Sequence, residues 1–161
     1  MKYTWLGHAS VRLEIGNQVL LIDPWLAGNP SFPADRKADA IRGATAILIT
    51  HGHGDHIGGV PELARGLGVP VYGIADLMGH WGATEKLDVV GMNKGGTVRL
   101  GDVAVTMVNA THSSSFSGPD GPVYAGAEAG YMIAGEGRCV YVSGDTDVMA
   151  DMAILNDLHA P

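Results

Sequence analysis

The chain begins with two short stretches in which apolar and polar positions alternate. Tyr3 to Leu6 is followed by Ser10 to Ile15, where Val11, Leu13 and Ile15 fall on one side and Arg12 and Glu14 on the other. A period of two is that of a half-buried strand. Gly16-Asn17 supplies a turn, and Val19 to Ile22 is a continuous apolar run ending at Asp23-Pro24. This predicts an antiparallel hairpin whose second strand is covered on both faces. Thr45 to Thr50 is another short buried strand, and it stops abruptly at His51. Polar side chains just past the carboxyl end of a buried strand are where ligand sites gather in α/β sheets.

Between these lies Trp25 to Gly43, rich in Pro, Gly, Asp and Ser and without periodicity; an excursion of that length in a compact domain borders a site more often than it idles. Pro61 to Leu67, opening on Pro and closing on Gly68, predicts a helix, and Val69 to Tyr72 a returning strand. Ala75 to Ala83 predicts a second short helix. Asp88 to Val90, Thr97 to Leu100 and Val103 to Val108 predict strands joined by glycine turns. Thr111 to Val123 is expected to be a polar loop. Ala129 to Ala134 and Arg138 to Val142 predict a hairpin around Gly135-Glu136-Gly137, and Asp147 to Leu158 has the 3-and-4 spacing of a closing helix. The whole predicts a mixed α/β fold.

The 161 residues suit one domain, 1–161, and 46% hydrophobic positions give it a core. Ten Lys and Arg against 17 Asp and Glu leave a charge of −7, so no broad cationic face exists for nucleic acid or anionic membrane. Cys139 is the only cysteine, which excludes an intramolecular disulfide framework and a thiolate zinc cage and suits a reducing, cytoplasmic setting. The first residues are too polar for a signal peptide, and no apolar stretch is long enough to span a bilayer. Neither nucleic acid nor a membrane is an expected partner.

The chemistry concentrates in His51-Gly-His53-Gly-Asp55-His56, three of the seven histidines and a carboxylate within six residues. Imidazole nitrogens and carboxylate oxygens bind Zn²⁺ at roughly 2.0–2.2 Å, and the intervening glycines let the backbone turn tightly enough for alternate side chains to converge. His51 and His53 can serve one ion while Asp55 and His56 face another. His80 and His159 carry no such context and are expected at the surface or in packing. The Ser113 to Ser115 run reads as solvated loop within reach of a substrate. No Gly-x-Ser-x-Gly elbow, phosphate-binding Gly loop or Cys-x-x-Cys is present, so covalent catalysis is not suggested.

The pattern His-x-His-x-Asp-His after a buried strand, with the later Thr111-His112-Ser and Ser143-Gly144-Asp145-Thr, resembles the signature of the metallo-β-lactamase-fold hydrolases. Gly7-His8-Ala-Ser, Ile22-Asp23-Pro24 and Gly91-Met-Asn-Lys-Gly-Gly96 fall in the same order. They look like a branch of metal-dependent hydrolases related to the L-ascorbate-6-phosphate lactonases. The resemblance implies an αβ/βα sandwich in which His51, His53 and His112 bind a first metal, Asp55 and His56 a second, and Asp145 bridges them. A shared anionic oxygen between two cations is what their mutual repulsion requires. Asp23 would orient a ligand imidazole from behind, with a plain turn residue as the alternative. His8 would line the pocket or donate to substrate, with a hydrogen-bonded structural histidine as the alternative.

Members of that fold usually supply one more metal-binding histidine from a later strand, so the resemblance implies a C-terminally incomplete sandwich. Its exposed edge favours a homo-oligomer. The implied reaction is metal-dependent hydrolysis of an ester or lactone bond in a small-molecule substrate by an activated hydroxide, with Asp55 as the catalytic carboxylate orienting the nucleophile. Zinc is the expected ion, with manganese or iron as alternatives, since only nitrogen and oxygen donors are offered. A phosphodiesterase of the same fold and a catalytically impaired metal-binding oligomer remain as the other readings.

Overall fold

A computed structural model describes residues 1–161. The opening alternation becomes β1 (Lys2–Trp5) and β2 (Val11–Ile15), and the apolar run becomes β3 (Gln18–Ile22). These pair antiparallel, and β3 then pairs parallel to β4 (Ala46–Leu48). Two further parallel strands, β5 (Val71–Ile74) and β6 (Val89–Met92), complete a six-stranded sheet in the order β1 to β6. A second, antiparallel sheet runs β12-β11-β8-β7, from β7 (Thr97–Leu100), β8 (Val103–Asn109), β11 (Ala129–Gly135) and β12 (Arg138–Val142).

The two sheets face each other through the apolar side of their alternation. Val11, Leu13 and Ile15 on β2 are buried with Val103, Val105 and Met107 on β8, and one continuous core holds residues of both sheets. The approach is close enough that a Cβ on Gly135 would sit 2.9 Å from Ile15 Cδ1. Tyr131, fully buried on β11, donates its hydroxyl proton to the Ile49 carbonyl at 2.6 Å. Burial that deep pushes the phenol well above its ordinary pKa, so it stays a donor.

Helices occupy the connections between the parallel strands, as a parallel pair requires a crossover. Helix α1 (Lys37–Ile41) follows a 3₁₀ turn at Ala34–Arg36, α2 (Gly54–Ile57) and α3 (Val60–Leu67) join β4 to β5, and α4 (Ala75–Thr84) joins β5 to β6. Helix α4 buries Leu77, Met78 and Trp81, and Met78 reaches over Gly73 of β5, where a Cβ would meet its Cε at 2.9 Å. The αβ/βα arrangement expected from the sequence is therefore present.

Three elements differ from expectation. The excursion after Trp25 contains the 3₁₀ turn and α1, each too short to leave a periodic trace. The expected polar loop Thr111 to Val123 contains a two-stranded hairpin, β9 (Ser115–Gly118) and β10 (Gly121–Tyr124). Its strands are mostly exposed and held by backbone pairing, so hydrophobic alternation could not announce them. The last helix, α5 (Asp151–His159), starts four residues late because Asp147 is tied back: its N–H donates to Thr111 O at 3.1 Å, and its carboxylate accepts from Val148 N at 2.7 Å.

Candidate metal centre

Strand β4 delivers its carboxyl end to the site. After Leu48, Ile49 and Thr50 remain buried, and the chain then turns through His51, Gly52 and His53 into α2, whose single turn carries Asp55 and His56. Gly52 is needed for space, since a Cβ there would overlap that of Ala125. Its N–H donates to Ser114 Oγ at 3.1 Å, fastening the histidine loop to the segment that leads into β9.

All eight residues singled out from the sequence converge here. Candidate donor atoms of His51, His53 and His112 lie within 4.8 Å of one another, as do those of His8, Asp55 and His56. His51 Nε2 stands 3.0 Å from His53 Nδ1, and the His112 ring packs on both, with centroids 5.2 and 5.0 Å away. Asp145, delivered by the turn after β12, faces both groups: Oδ1 is 3.5 Å from His56 Nε2 and Oδ2 is 3.8 Å from His112 Nε2. Gly144 makes that delivery possible with a φ of 62°, where a Cβ would press on Thr50 Cβ at 2.8 Å.

Asp23 sits behind the imidazoles, fully buried at the end of β3 with a φ of 45°. Its Oδ1 accepts from Thr50 N at 2.8 Å, and its Oδ2 accepts from the Thr50 hydroxyl at 2.5 Å and faces His56 Nδ1 at 2.8 Å. A carboxylate accepts only, so His56 carries its proton on Nδ1 and turns a bare Nε2 inward. The Thr50 hydroxyl spends its proton on Asp23, and so takes the Nδ1 proton of His51 across 3.0 Å, again leaving Nε2 free. These tautomers follow from the hydrogen-bond network. Thr50 is a residue sequence reasoning passed over; its position between buried strand and histidine loop was the available signal. Ser113, expected only near substrate, has its Oγ 3.2 Å from His53 Nε2.

The electrostatics fit the same pattern. Burial, then the neighbouring His56, depresses the His51 pKa to about 4, leaving its imidazole neutral at pH 7. Burial also opposes charge on His56, but the hydrogen bond and charge of Asp23 outweigh it and raise that pKa. His56 Nε2 is a buried nitrogen with no hydrogen-bond partner. An orphaned imidazole nitrogen facing the Asp145 carboxylate at 3.5 Å, on a ring packed against those of His8 and His51, is the arrangement that a cation satisfies.

Elsewhere the assignments divide. His80 stacks on Phe116 of β9, with ring centroids 5.1 Å apart, and is a packing residue as expected. His159 stands near Arg138 and Cys139, away from the cluster. The Gly91 to Gly96 motif does not line the centre: it turns β6 into β7, and Lys94 Nζ donates to Asn109 Oδ1 at 2.7 Å. Beside the histidine loop opens a cavity of about 630 Å³, bounded by Asp55, Ile57, Ser115, Phe116, Ser117 and Pro122 among others, with no Lys or Arg in its wall.

Two facing sheets with a histidine-aspartate cluster at their strand ends define a metallo-hydrolase class of protein. Residues 18–161 match the Beta-lactamase superfamily domain, and the chain belongs to that superfamily. Over all 161 residues it is 67% identical to a UPF0173 metal-dependent hydrolase of Dinoroseobacter shibae and 62% identical to one of Paracoccus denitrificans, spanning 70% of each relative's length. Among solved structures, Igni18, a metallo hydrolase of Ignicoccus hospitalis, superposes with a TM-score of 0.79 at 28% identity, over 99% of this chain and 66% of that one. An isothiocyanate hydrolase from Delia radicum gut bacteria shares the fold, with a TM-score of 0.75 at 17% identity over 100% of this chain and 69% of that one. Family, fold and cluster agree on a metal-dependent hydrolase of the β-lactamase fold.

Proposed function

We propose that the chain hydrolyses the ester bond of a small uncharged molecule, a lactone foremost, at a centre of two divalent ions. In this reading His51 Nε2, His53 Nδ1 and His112 hold the first ion, Asp55 and His56 Nε2 hold the second, and the Asp145 carboxylate is shared. The donor set is nitrogen and oxygen only, three of its imidazoles have their outer nitrogens engaged, and the orphaned His56 Nε2 gains its missing partner. Zinc suits these donors best. Such ions supply Lewis acidity and lower the pKa of a water toward ~7.

The remaining work falls to this chain's own residues. Asp55, half exposed at the cavity wall, orients the attacking water and accepts its proton. Asp23 and Thr50 keep the His51 and His56 lone pairs aimed inward. Ile57, Phe116 and Pro122 give the substrate an apolar seat, while Ser115 and Ser117 offer hydroxyls to a carbonyl or ring oxygen.

One observation favours an ester or lactone over a phosphodiester: the cavity beside the cluster contains no cationic side chain, and its one charged wall group besides the histidine is the Asp55 carboxylate. With the ions bound the Asp55 charge is offset, so the preference rests on the wall itself, which offers no Lys or Arg to hold an anionic group away from the centre. Purified protein assayed against lactones, aryl esters and phosphodiesters, with metal content measured in parallel, tests the reading. Turnover of lactone or ester that is lost in Asp55→Ala and His53→Ala together with bound metal supports it. Turnover confined to phosphodiesters, or full activity in metal-free protein, overturns it.

A further inference from the structure

We propose that His8 is a protein donor to the second ion, beside Asp55, His56 and Asp145; this rests on the two-ion reading above. Candidate donor atoms of His8, Asp55 and His56 lie within 4.8 Å of one another, although His8 is some fifty positions away in the chain. His8 Nε2 stands 3.4 Å from Asp55 Oδ2, and His56 Nε2 stands 3.5 Å from Asp145 Oδ1. Both separations exceed the 2.7–3.2 Å of an ordinary N–H···O hydrogen bond. Two donors bonded at about 2.0–2.1 Å to one tetrahedral ion stand about 3.4 Å apart. An ion pair between His8 and Asp55 accounts for one of these distances; it leaves the buried His56 Nε2 without a partner.

The backbone is built to put His8 there. Its φ is 50°, in the left-handed region that residues with a Cβ rarely occupy, directly after Gly7 at 89°. Gly7 has no room for a side chain, since a Cβ would lie 2.7 Å from the Ser31 carbonyl carbon. The turn is closed by Ser10 N donating to Gly7 O at 3.0 Å and Leu6 N donating to Ser10 O at 2.8 Å. Trp5 Nε1 then donates to the His8 carbonyl at 2.7 Å, and the His8 ring meets Trp25 edge-on with centroids 5.5 Å apart. Strain held by this many contacts belongs to a residue whose position matters. The ring ends edge-on to His56, with centroids 5.4 Å apart.

Metal-free protein titrated with Zn²⁺ by calorimetry and with Co²⁺ by visible absorption tests the assignment without reference to turnover. The wild type takes two equivalents. His8→Asn, which tolerates left-handed backbone, keeps the first and binds the second more than about 100-fold more weakly, because even groups behind a ligand are worth about 10–100-fold. His8→Gly, which keeps the turn at no steric cost, shows the same loss, and added imidazole restores its second equivalent. Unchanged circular dichroism of both metal-free variants excludes misfolding as the cause. Two tight equivalents with unchanged cobalt absorption in both variants overturn the role of His8, as does a wild type that takes a single ion. A wild type that takes none overturns the metal centre itself and this inference with it.

Discussion

His56 Nδ1 lies 2.8 Å from Oδ2 of Asp23, and both side chains are buried. The same oxygen accepts the Thr50 hydroxyl, which in turn stands 3.0 Å from His51 Nδ1. One carboxylate at the end of the first hairpin thus fixes the outer nitrogens of two imidazoles from the histidine loop. It does so directly for His56 and through a hydroxyl for His51.

Asp23→Asn removes an acceptor that three protons share and places an amide among donors. The expected result is a Zn²⁺ affinity lower by about 10–100-fold and a metal-free protein destabilised by about 1.5–3 kcal/mol, the range for hydrogen bonds to a charged group. Calorimetric zinc titration and urea denaturation measure the two effects. Wild-type values for both would show that Asp23 is an ordinary turn residue.

The buried His51 makes stability of the metal-free protein depend on pH. Its folded pKa of about 4 is below the ordinary 6.5, so between those values the unfolded chain binds the proton and the folded chain does not. Stability from this group is whole above pH 6.5 and falls as pH drops toward 4, by up to about 3 kcal/mol. His56 acts oppositely: its raised pKa contributes stability that is full below 6.5 and fades as pH rises through the folded value. Denaturation midpoints in chelator across pH 4–8 should show a steeper acid loss for wild type than for His51→Gln. Parallel curves would contradict the assigned shift.

Gly52→Ala forces a methyl into Ala125, whose backbone N–H donates to Ser114 O at 3.1 Å. Overpacking of this kind costs about 1–3 kcal/mol. Because the strain falls between His51 and His53, metal binding should weaken more than in a Gly66→Ala control, where the backbone is helical and a Cβ meets nothing within 4 Å. Equal zinc affinities in the two variants would count against that coupling.

Tyr131→Phe keeps the ring and deletes the hydrogen bond to the Ile49 carbonyl, two residues before His51. A loss of about 1–2 kcal/mol is expected in chemical denaturation. The cavity beside Phe116 should be unaffected, so catalytic specificity should not change. A change in substrate preference would refute a purely structural role.

Legibility in the sequence followed the signal each part leaves. The alternation of Val11, Leu13 and Ile15 and the run Val19 to Ile22 announced the first hairpin because burial on one or two faces selects apolar side chains. The β9–β10 hairpin was missed because its strands, Ser115–Gly118 and Gly121–Tyr124, bury little. Five of the eight clustered residues carried local marks, four of them in the loop at 51–56 and Asp23 at a strand end. The other three, His8, His112 and Asp145, gained weight only through resemblance, and Thr50, outside the eight, carried no mark.

By itself the sequence determined which segments are buried strands and that the chain offers a nitrogen-and-oxygen donor set just past one of them, since periodicity and residue type are local properties. The tertiary structure decided the rest. Only the facing of two sheets brings Asp145 between His56 and His112, and only a left-handed turn fixed by Trp5 and Ser10 carries His8 to Asp55. Those placements depend on packing between distant segments, which no spacing along one chain encodes.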